Sequence, residues 1–232
     1  MAAFTAPTPI SFATVAEADA SAVQLQLRAL EQTAGLYTED AVVALEAYLA
    51  EQLAGATVDA DANLALLKLY LIFPERADAA KVAAVLLKGV QATPSPYFTG
   101  ATTLVPESLR EDATVKLALE AGFLLQSCLF EEFWKLDLAA AEAAAPGTLT
   151  AARAFILDAV RKSHSVVSTA LLKAALSVSD AEVAAVVAAE HWTLEGELAK
   201  IPANGENQVR PKKIQEKIEF EDVLKLIDTL SR

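Results

Sequence analysis

Apolar residues recur through most of the 232-residue chain at the three- and four-residue spacing of amphipathic helices. From Glu17 the stripe runs through Val23, Leu27 and Leu30 to Gly35, and Thr38 is placed to cap a second helix with Val42, Leu45, Leu49 and Leu53 on its buried face. Residues 61–73 are apolar nearly all round, as in a helix packed between neighbours, and Pro74 stops them. Further helical stretches are predicted over 77–90, with Val82, Val85 and Leu86 inward, and over 109–127, 130–142 and 150–161. Phe133 and Trp134 add bulk to the core. Thr93-Pro94-Ser95-Pro96 and Pro146-Gly147 interrupt the series, the second pair marking the best candidate boundary.

The pattern changes over residues 166–218. An apolar helix is predicted over 166–176, and a second opens at Ser179-Asp180-Ala181-Glu182, where Ser179 and Glu182 have capping-box spacing. After Trp192 the chain alternates through Leu198, Ile201 and Val209, and Ala203-Asn204-Gly205-Glu206 supplies the positive-φ residues of a tight hairpin. Two helices followed by a hairpin is the order of a winged helix. The closing stretch puts Phe220, Val223, Leu224, Ile227 and Leu230 on one face of an amphipathic helix, which either packs on the module or docks to a partner. The expected fold is mainly α: a flexible Pro- and Ala-rich leader over 1–16, a stack of helix pairs over 17–146, and a winged helix with a small β-hairpin over 147–232.

Charge changes what such a module would bind. A net charge of −12 and a pI near 4.6 favour basic partners over phosphate backbones or anionic lipid. The helix entering the major groove in a DNA reader corresponds to residues 180–192, which carry Asp180, Glu182 and Glu190 and no Lys or Arg. The one basic cluster, Arg210, Lys212, Lys213 and Lys217, lies among Glu216, Glu219 and Glu221. A winged-helix nucleic-acid binder therefore stands as the alternative reading, and a solvated wing edge or a protein contact as the preferred one. Lys212, Lys213 and Lys217, with Val223, Leu224 and Ile227 on the closing helix, are the candidate partner contacts.

Little points to catalysis. Cys128 is the single cysteine, excludes an internal disulfide, and reads as a small buried hydrophobe. His164 and His191 have no metal-ligand spacing with it. Glycines occur singly, with no phosphate-cradling Gly-Lys-Ser/Thr. Glu131-Glu132 and Glu111-Asp112 read as solvated helix surface. No cofactor and no metal are expected. No Lys or Arg precedes Arg28, so the start lacks the basic region of a targeting signal, and charges interrupt every apolar run before membrane-spanning length; a soluble intracellular protein is expected.

Several stretches together resemble the subunit k family of eukaryotic translation initiation factor 3. They are Asp61-Ala62-Asn63-Leu64-Ala65-Leu66-Leu67-Lys68-Leu69-Tyr70 with Pro74 behind, and Leu124-Leu125-Gln126-Ser127-Cys128-Leu129-Phe130-Glu131-Glu132-Phe133-Trp134. Arg153-Ala154-Phe155-Ile156, Leu176 with Ser179-Asp180, and Pro211-Lys212-Lys213-Ile214-Gln215-Glu216-Lys217-Ile218-Glu219-Phe220 add to them in the same order. The resemblance implies a HEAT-like helical-repeat domain followed by a winged helix of the kind shared with proteasome-lid and signalosome subunits. It implies a non-catalytic, cytoplasmic scaffold subunit, with a nuclear pool left open. Its implied partners are the other subunits of the factor, subunit l nearest, and through them the small ribosomal subunit during preinitiation complex formation.

Overall fold

The computed structural model describes residues 4–33, 35–208 and 219–231. They are mainly α-helical with two small sheets. In chain order the elements are β1 (Thr8–Pro9), α1 (Ala22–Gln32), α2 (Glu39–Ala54), β2 (Thr57–Val58), α3 (Ala60–Ile72), α4 (Ala79–Gln91), α5 (Tyr97–Thr103), α6 (Ala113–Gln126), α7 (Phe130–Phe133), α8 (Leu138–Ala144) and α9 (Thr148–Ser163). There follow β3 (Val166–Ser168), α10 (Thr169–Leu176), α11 (Asp180–Ala189), β4 (Thr193–Glu195), β5 (Leu198–Lys200) and α12 (Phe220–Leu230).

Side-chain caps set most helix starts, by satisfying amide donors that the first turn leaves free. Ser21 and Gln24 form a reciprocal capping box on α1, and Asp59, Asp78 and Asp112 accept amides at the starts of α3, α4 and α6. Two long helices expected from periodicity are divided for this reason. Residues 109–127 begin as a 3-10 turn before Asp112 restarts them as α6, and residues 130–142 split where Asp137 caps α8. Thr38 sits at the N-cap of α2 but gives its hydroxyl to the Gly35 carbonyl.

The core is organised around α4, in which every residue from 82 to 91 is buried. It packs against α6, α5, α9, α8 and α3. Close approach of α4, α5 and α6 depends on two glycines facing one ring. A Cβ at Gly89 would lie 3.1 Å from the Phe98 Cα, and a Cβ at Gly122 would overlap the Phe98 ring itself. Two polar residues in the last turn of α4 reach in opposite directions. Lys88 is fully buried, and its Nζ donates to the Gln52 carbonyl at 2.6 Å and the Thr57 carbonyl at 3.2 Å. Gln91 Nε2 reaches the Ala145 carbonyl at 3.2 Å, the Pro146 carbonyl at 3.1 Å and Thr148 Oγ1 at 3.0 Å. The Pro146-Gly147 break is thus a held corner, with Gly147 at φ 89° opening α9.

The first described residues are packed, contrary to the flexible leader expected from their Pro and Ala content. Thr8 and Pro9 pair in parallel with Thr57 and Val58, and Phe12 is buried edge-on against Tyr48. The reason is backbone satisfaction from distant groups, which composition does not display. The Phe12 amide donates to Asp59 Oδ2 at 2.7 Å, and Arg28 donates to the Phe12 and Val15 carbonyls. Asp59, fully buried, also accepts from the Tyr48 hydroxyl at 3.1 Å and the Ala62 amide at 3.1 Å. Burial pushes its carboxyl above the usual range while these donors pull it back. Gln52 and Asn63 exchange amide hydrogen bonds at 3.0 Å beside it.

Two predictions follow from α4. Gly122→Ala should destabilise the fold by about 2–3 kcal/mol in denaturant titration, overpacking outweighing the ~1 kcal/mol gained in helix propensity; Phe98→Leu in the same chain should restore part of the loss. Burial lowers the Lys88 amine from 10.5 to about 8. Between those values the unfolded chain binds a proton that the folded chain does not, so stability gains with rising pH. Relative to Lys88→Met, the parent should gain about 2–3 kcal/mol from pH 8 to 10, measured by urea unfolding at each pH.

Candidate protein-contact surface

The residues of interest lie beyond the corner at 146–147. Strands β3, β5 and β4 form one antiparallel sheet in that order, with α10 and α11 between β3 and β4. Residues 166–168, expected as the first turn of a helix, form β3 instead, because Ser168 caps α10 through the Leu171 amide. The hairpin lies one turn earlier than expected. It joins β4 to β5 through Gly196 at φ 61°, the positive-φ position a tight turn requires. Asn204-Gly205 forms a side-chain-stabilised turn, with Asn204 Oδ1 accepting from the Glu206 amide at 2.9 Å and the Asn207 amide at 2.8 Å. Val209, counted in the expected hairpin, is outside the described residues.

The capping box at α11 is formed as the spacing predicts, the Ser179 amide donating to Glu182 at 2.8 Å and the Glu182 amide to Ser179 Oγ at 3.4 Å. That bond from the Ser179 backbone, with one from its hydroxyl, holds the Glu182 carboxyl below its ordinary value. The helix ends are less usual. Cys128, Ser177 and His191 take positive φ without being glycine, and each directs the next amide back onto the preceding helix. Leu129 donates to the Leu124 carbonyl and Trp192 to the Val187 carbonyl, both at 2.9 Å. Cys128 therefore departs from the buried position expected of it. It is exposed, not buried, because the left-handed turn after α6 points it away from the helix's apolar face.

Arg153 on α9 fastens the module. Its Nε donates to the Leu176 carbonyl at 3.1 Å, and its guanidinium lies 5.0 Å from the Trp134 ring and 5.9 Å from that of Phe4. Trp134 Nε1 in turn donates to the Ala175 carbonyl at 2.7 Å.

The surface this presents is poor in free cations. On α11, Val183, Val186 and Val187 are buried, and Ala181, Glu182, Ala184, Ala185 and Ala188 face outward. Residues 166–208 contain two lysines, and both are paired: Lys173 with Asp180 at 2.9 Å and Lys200 with Glu195 at 2.7 Å. Of the candidate contacts, Lys212, Lys213 and Lys217 lie outside the described residues. Val223, Leu224 and Ile227 are on α12, where no residue is buried; Leu224 is 49% and Ile227 56% exposed, beside Phe220 at 76%. The amphipathic stripe exists as a helix, uncovered along its length.

A groove of about 640 Å³ lies between α7, the end of α9 and α10. Its floor is apolar, with Leu129, Phe130, Val160 and Leu171, and its margin carries Cys128, Glu131, Glu132 and His164. Sequence spacing gives no sign that His164 and Cys128 share a cavity, since they are 36 positions apart. The bonding there does not assemble a nucleophile and its base. His164 Nδ1 meets Ser163 Oγ at 2.7 Å, and that hydroxyl donates to the Ala159 carbonyl at 2.7 Å. Among the described residues no group of three or more His, Cys, Asp or Glu could hold a metal ion, and no helix is long and apolar enough to cross a membrane.

The sequence pattern of the CSN8/PSMD8/EIF3K family matches residues 78–213, from α4 through the hairpin. The chain belongs to this family. Among its relatives, eukaryotic translation initiation factor 3 subunit K of Xenopus laevis is 31% identical over 194 residues, covering 81% of this chain and 87% of the relative. The Homo sapiens subunit K is 28% identical over 193 residues, with the same coverage. That of Nematostella vectensis is 25% identical over 194 residues, covering 82% and 90%. The family match spans both sides of the 146–147 corner, taking in α4 to α8 before it and α9 to β5 after it.

The left-handed end of α11 is open to test. His191→Val should cost about 1–2 kcal/mol, because a β-branched residue is strained at positive φ, whereas His191→Gly should leave stability unchanged or raised. Thermal unfolding of the two variants beside the parent checks both.

Proposed function

We propose that the chain is a non-catalytic subunit of eukaryotic translation initiation factor 3. The observation that carries this is likeness over four fifths of the chain to proteins named as subunit K of that factor. In this reading residues 17–146 are a HEAT-like helical repeat and residues 147–232 a winged helix, the order β3, α10, α11, β4, β5 supporting the second assignment. Both parts serve protein contacts. Subunit l is the nearest neighbour, the small ribosomal subunit is reached through the assembled factor, and the place of action is the cytoplasm.

The surface supports a scaffold. An uncovered apolar stripe on α12 is suited to a groove or helix of another subunit, whereas α11 presents alanine and carboxylate where a nucleic-acid reader needs cations. The competing reading, a winged-helix nucleic-acid binder, draws on the same element order. It would have to work with Lys173 and Lys200 already engaged by carboxylates.

Affinity purification of the tagged chain from native extract should recover the other subunits of the factor. Leu224→Glu with Ile227→Glu should lower that recovery at least about tenfold, since two apolar anchors contribute about 3 kcal/mol when buried. Unchanged recovery would remove the α12 stripe from the interface. Duplex RNA binding at low salt that weakens in Lys212→Glu/Lys213→Glu would instead favour the nucleic-acid reading.

A further inference from the structure

On the apolar floor of the 640 Å³ groove, Leu129 and Leu171 remain 47% and 44% exposed beside the buried Val160 and Ala175. The walls are held in place. Phe130 lies edge-on to Phe155 with ring centroids 6.5 Å apart, and Trp134 Nε1 ties the end of α7 to the Ala175 carbonyl on α10 at 2.7 Å. A cleft formed in advance spares a ligand the cost of ordering it. Three helices bound it, a shape suited to the apolar face of a further helix.

Charge decides what else that helix carries. The lining includes two carboxylates, Glu131 and Glu132, and no Lys or Arg. Cations of the bordering elements are already matched: Lys135 pairs with Glu132 at 2.6 Å, Lys162 and Arg161 with Asp158, and Lys173 with Asp180. Glu131 has no ion pair among the described residues. It also lines an adjoining depression of about 520 Å³ that Glu182 shares, so carboxylates continue beyond the groove. The pair expected from sequence to be solvated helix surface thus borders a cavity. Lys or Arg beside an apolar face seated there meets negative potential. The chain's own uncovered stripe has the wrong sign. Glu221 and Asp228 flank it on α12, and in the groove they would confront Glu131 and Glu132.

We infer that the groove between α7, α9 and α10 receives a basic amphipathic helix of another protein, its apolar residues against Leu129 and Leu171 and its Lys or Arg beside Glu131. The acidic margin admits such a helix and repels an acidic one of the same hydrophobicity, the α12 of a second copy included. This is a contact surface separate from α12, and it does not rest on the subunit role proposed above.

The probe is a synthetic cysteine-free helix of about four turns, with leucine on one face and lysine on the other. Fluorescence anisotropy with the purified full chain should show saturable binding that weakens about tenfold between about 50 and 500 mM salt. Replacing the probe's lysines by glutamate, or its leucines by alanine, should weaken it by a similar factor. Glu131→Lys should lower affinity about fivefold, whereas Glu31→Lys, which changes net charge equally at an exposed position on α1, should leave it unchanged. Leu129→Glu and Leu171→Glu should each cost about tenfold in affinity at the parent's melting temperature, since neither side chain belongs to the buried core. Bound probe should also protect Cys128, the single cysteine and a lining residue, from a maleimide. Absence of binding, equal affinity for the lysine and glutamate probes, equal losses in Glu131→Lys and Glu31→Lys, or an unprotected Cys128 would each overturn the inference. A dimer of the chain alone that shields Cys128 would overturn it in favour of a second copy. Recovery of factor subunits in the Leu224→Glu/Ile227→Glu variant is a separate readout, so either proposal can fail alone.

Discussion

The last turn of α4 is the constraint on which the rest of the chain depends. Lys88 and Gln91 are both buried there, and each satisfies backbone carbonyls contributed by a different part of the molecule. Lys88 holds the last turn of α2 and the first residue of β2. Gln91 holds the corner between α8 and α9, from which the second module departs. Buried polar groups are costly unless satisfied, so each bond is expensive to break once formed. The helix thus acts as an axle with a polar grip at one end, and the Phe98 ring seated against Gly89 and Gly122 keeps its neighbours close. One hydrophobic cluster runs from Phe12 to Ile201 across both parts.

That arrangement bears on function through the direction in which surfaces are left available. The two lysines of residues 166–208 are paired with carboxylates, α11 turns alanine and carboxylate outward, and the chain as a whole is acidic. Each of these weakens long-range attraction to phosphate. What remains exposed and chemically distinctive is apolar: the groove flanking α10 and the stripe on α12. The family's matched relatives are named as subunits of a larger factor.

Local signals were readable wherever one residue type has one use. Ser179 with Glu182 announced a capping box that the structure contains, Pro74 ended α3, and the spacing of Phe220, Leu224 and Ile227 described a helix that is present. Misreadings arose where two signals competed or where the partner was distant. Asn204-Gly205 is the stronger hairpin signature in isolation, yet Gly196 took the positive-φ position and Asn204 went to a side-chain-capped turn. The leader's Pro7 and Pro9 argue correctly against helix, but nothing local reveals that Asp59 and Arg28 await the backbone at Phe12. Cys128 sits among apolar residues in sequence and outside them in space, because its backbone turns left-handed. The cavity that joins it to His164 is a product of tertiary packing, which no spacing rule encodes.

The contacts of the first residues also set an order of events during synthesis. Phe12 is fixed by the carboxylate of Asp59, 47 positions later, and Phe4 lies against the guanidinium of Arg153 on α9. A chain emerging from its N-terminus therefore makes first the segment whose partners come late. While α1 and α2 can pair as soon as both have emerged, the residues before them must wait for the α2–α3 connection and then for the helix beyond the corner. The N-terminal strand can pair once the α2–α3 connection has emerged, whereas Phe4 meets its partner only after α9 has been made.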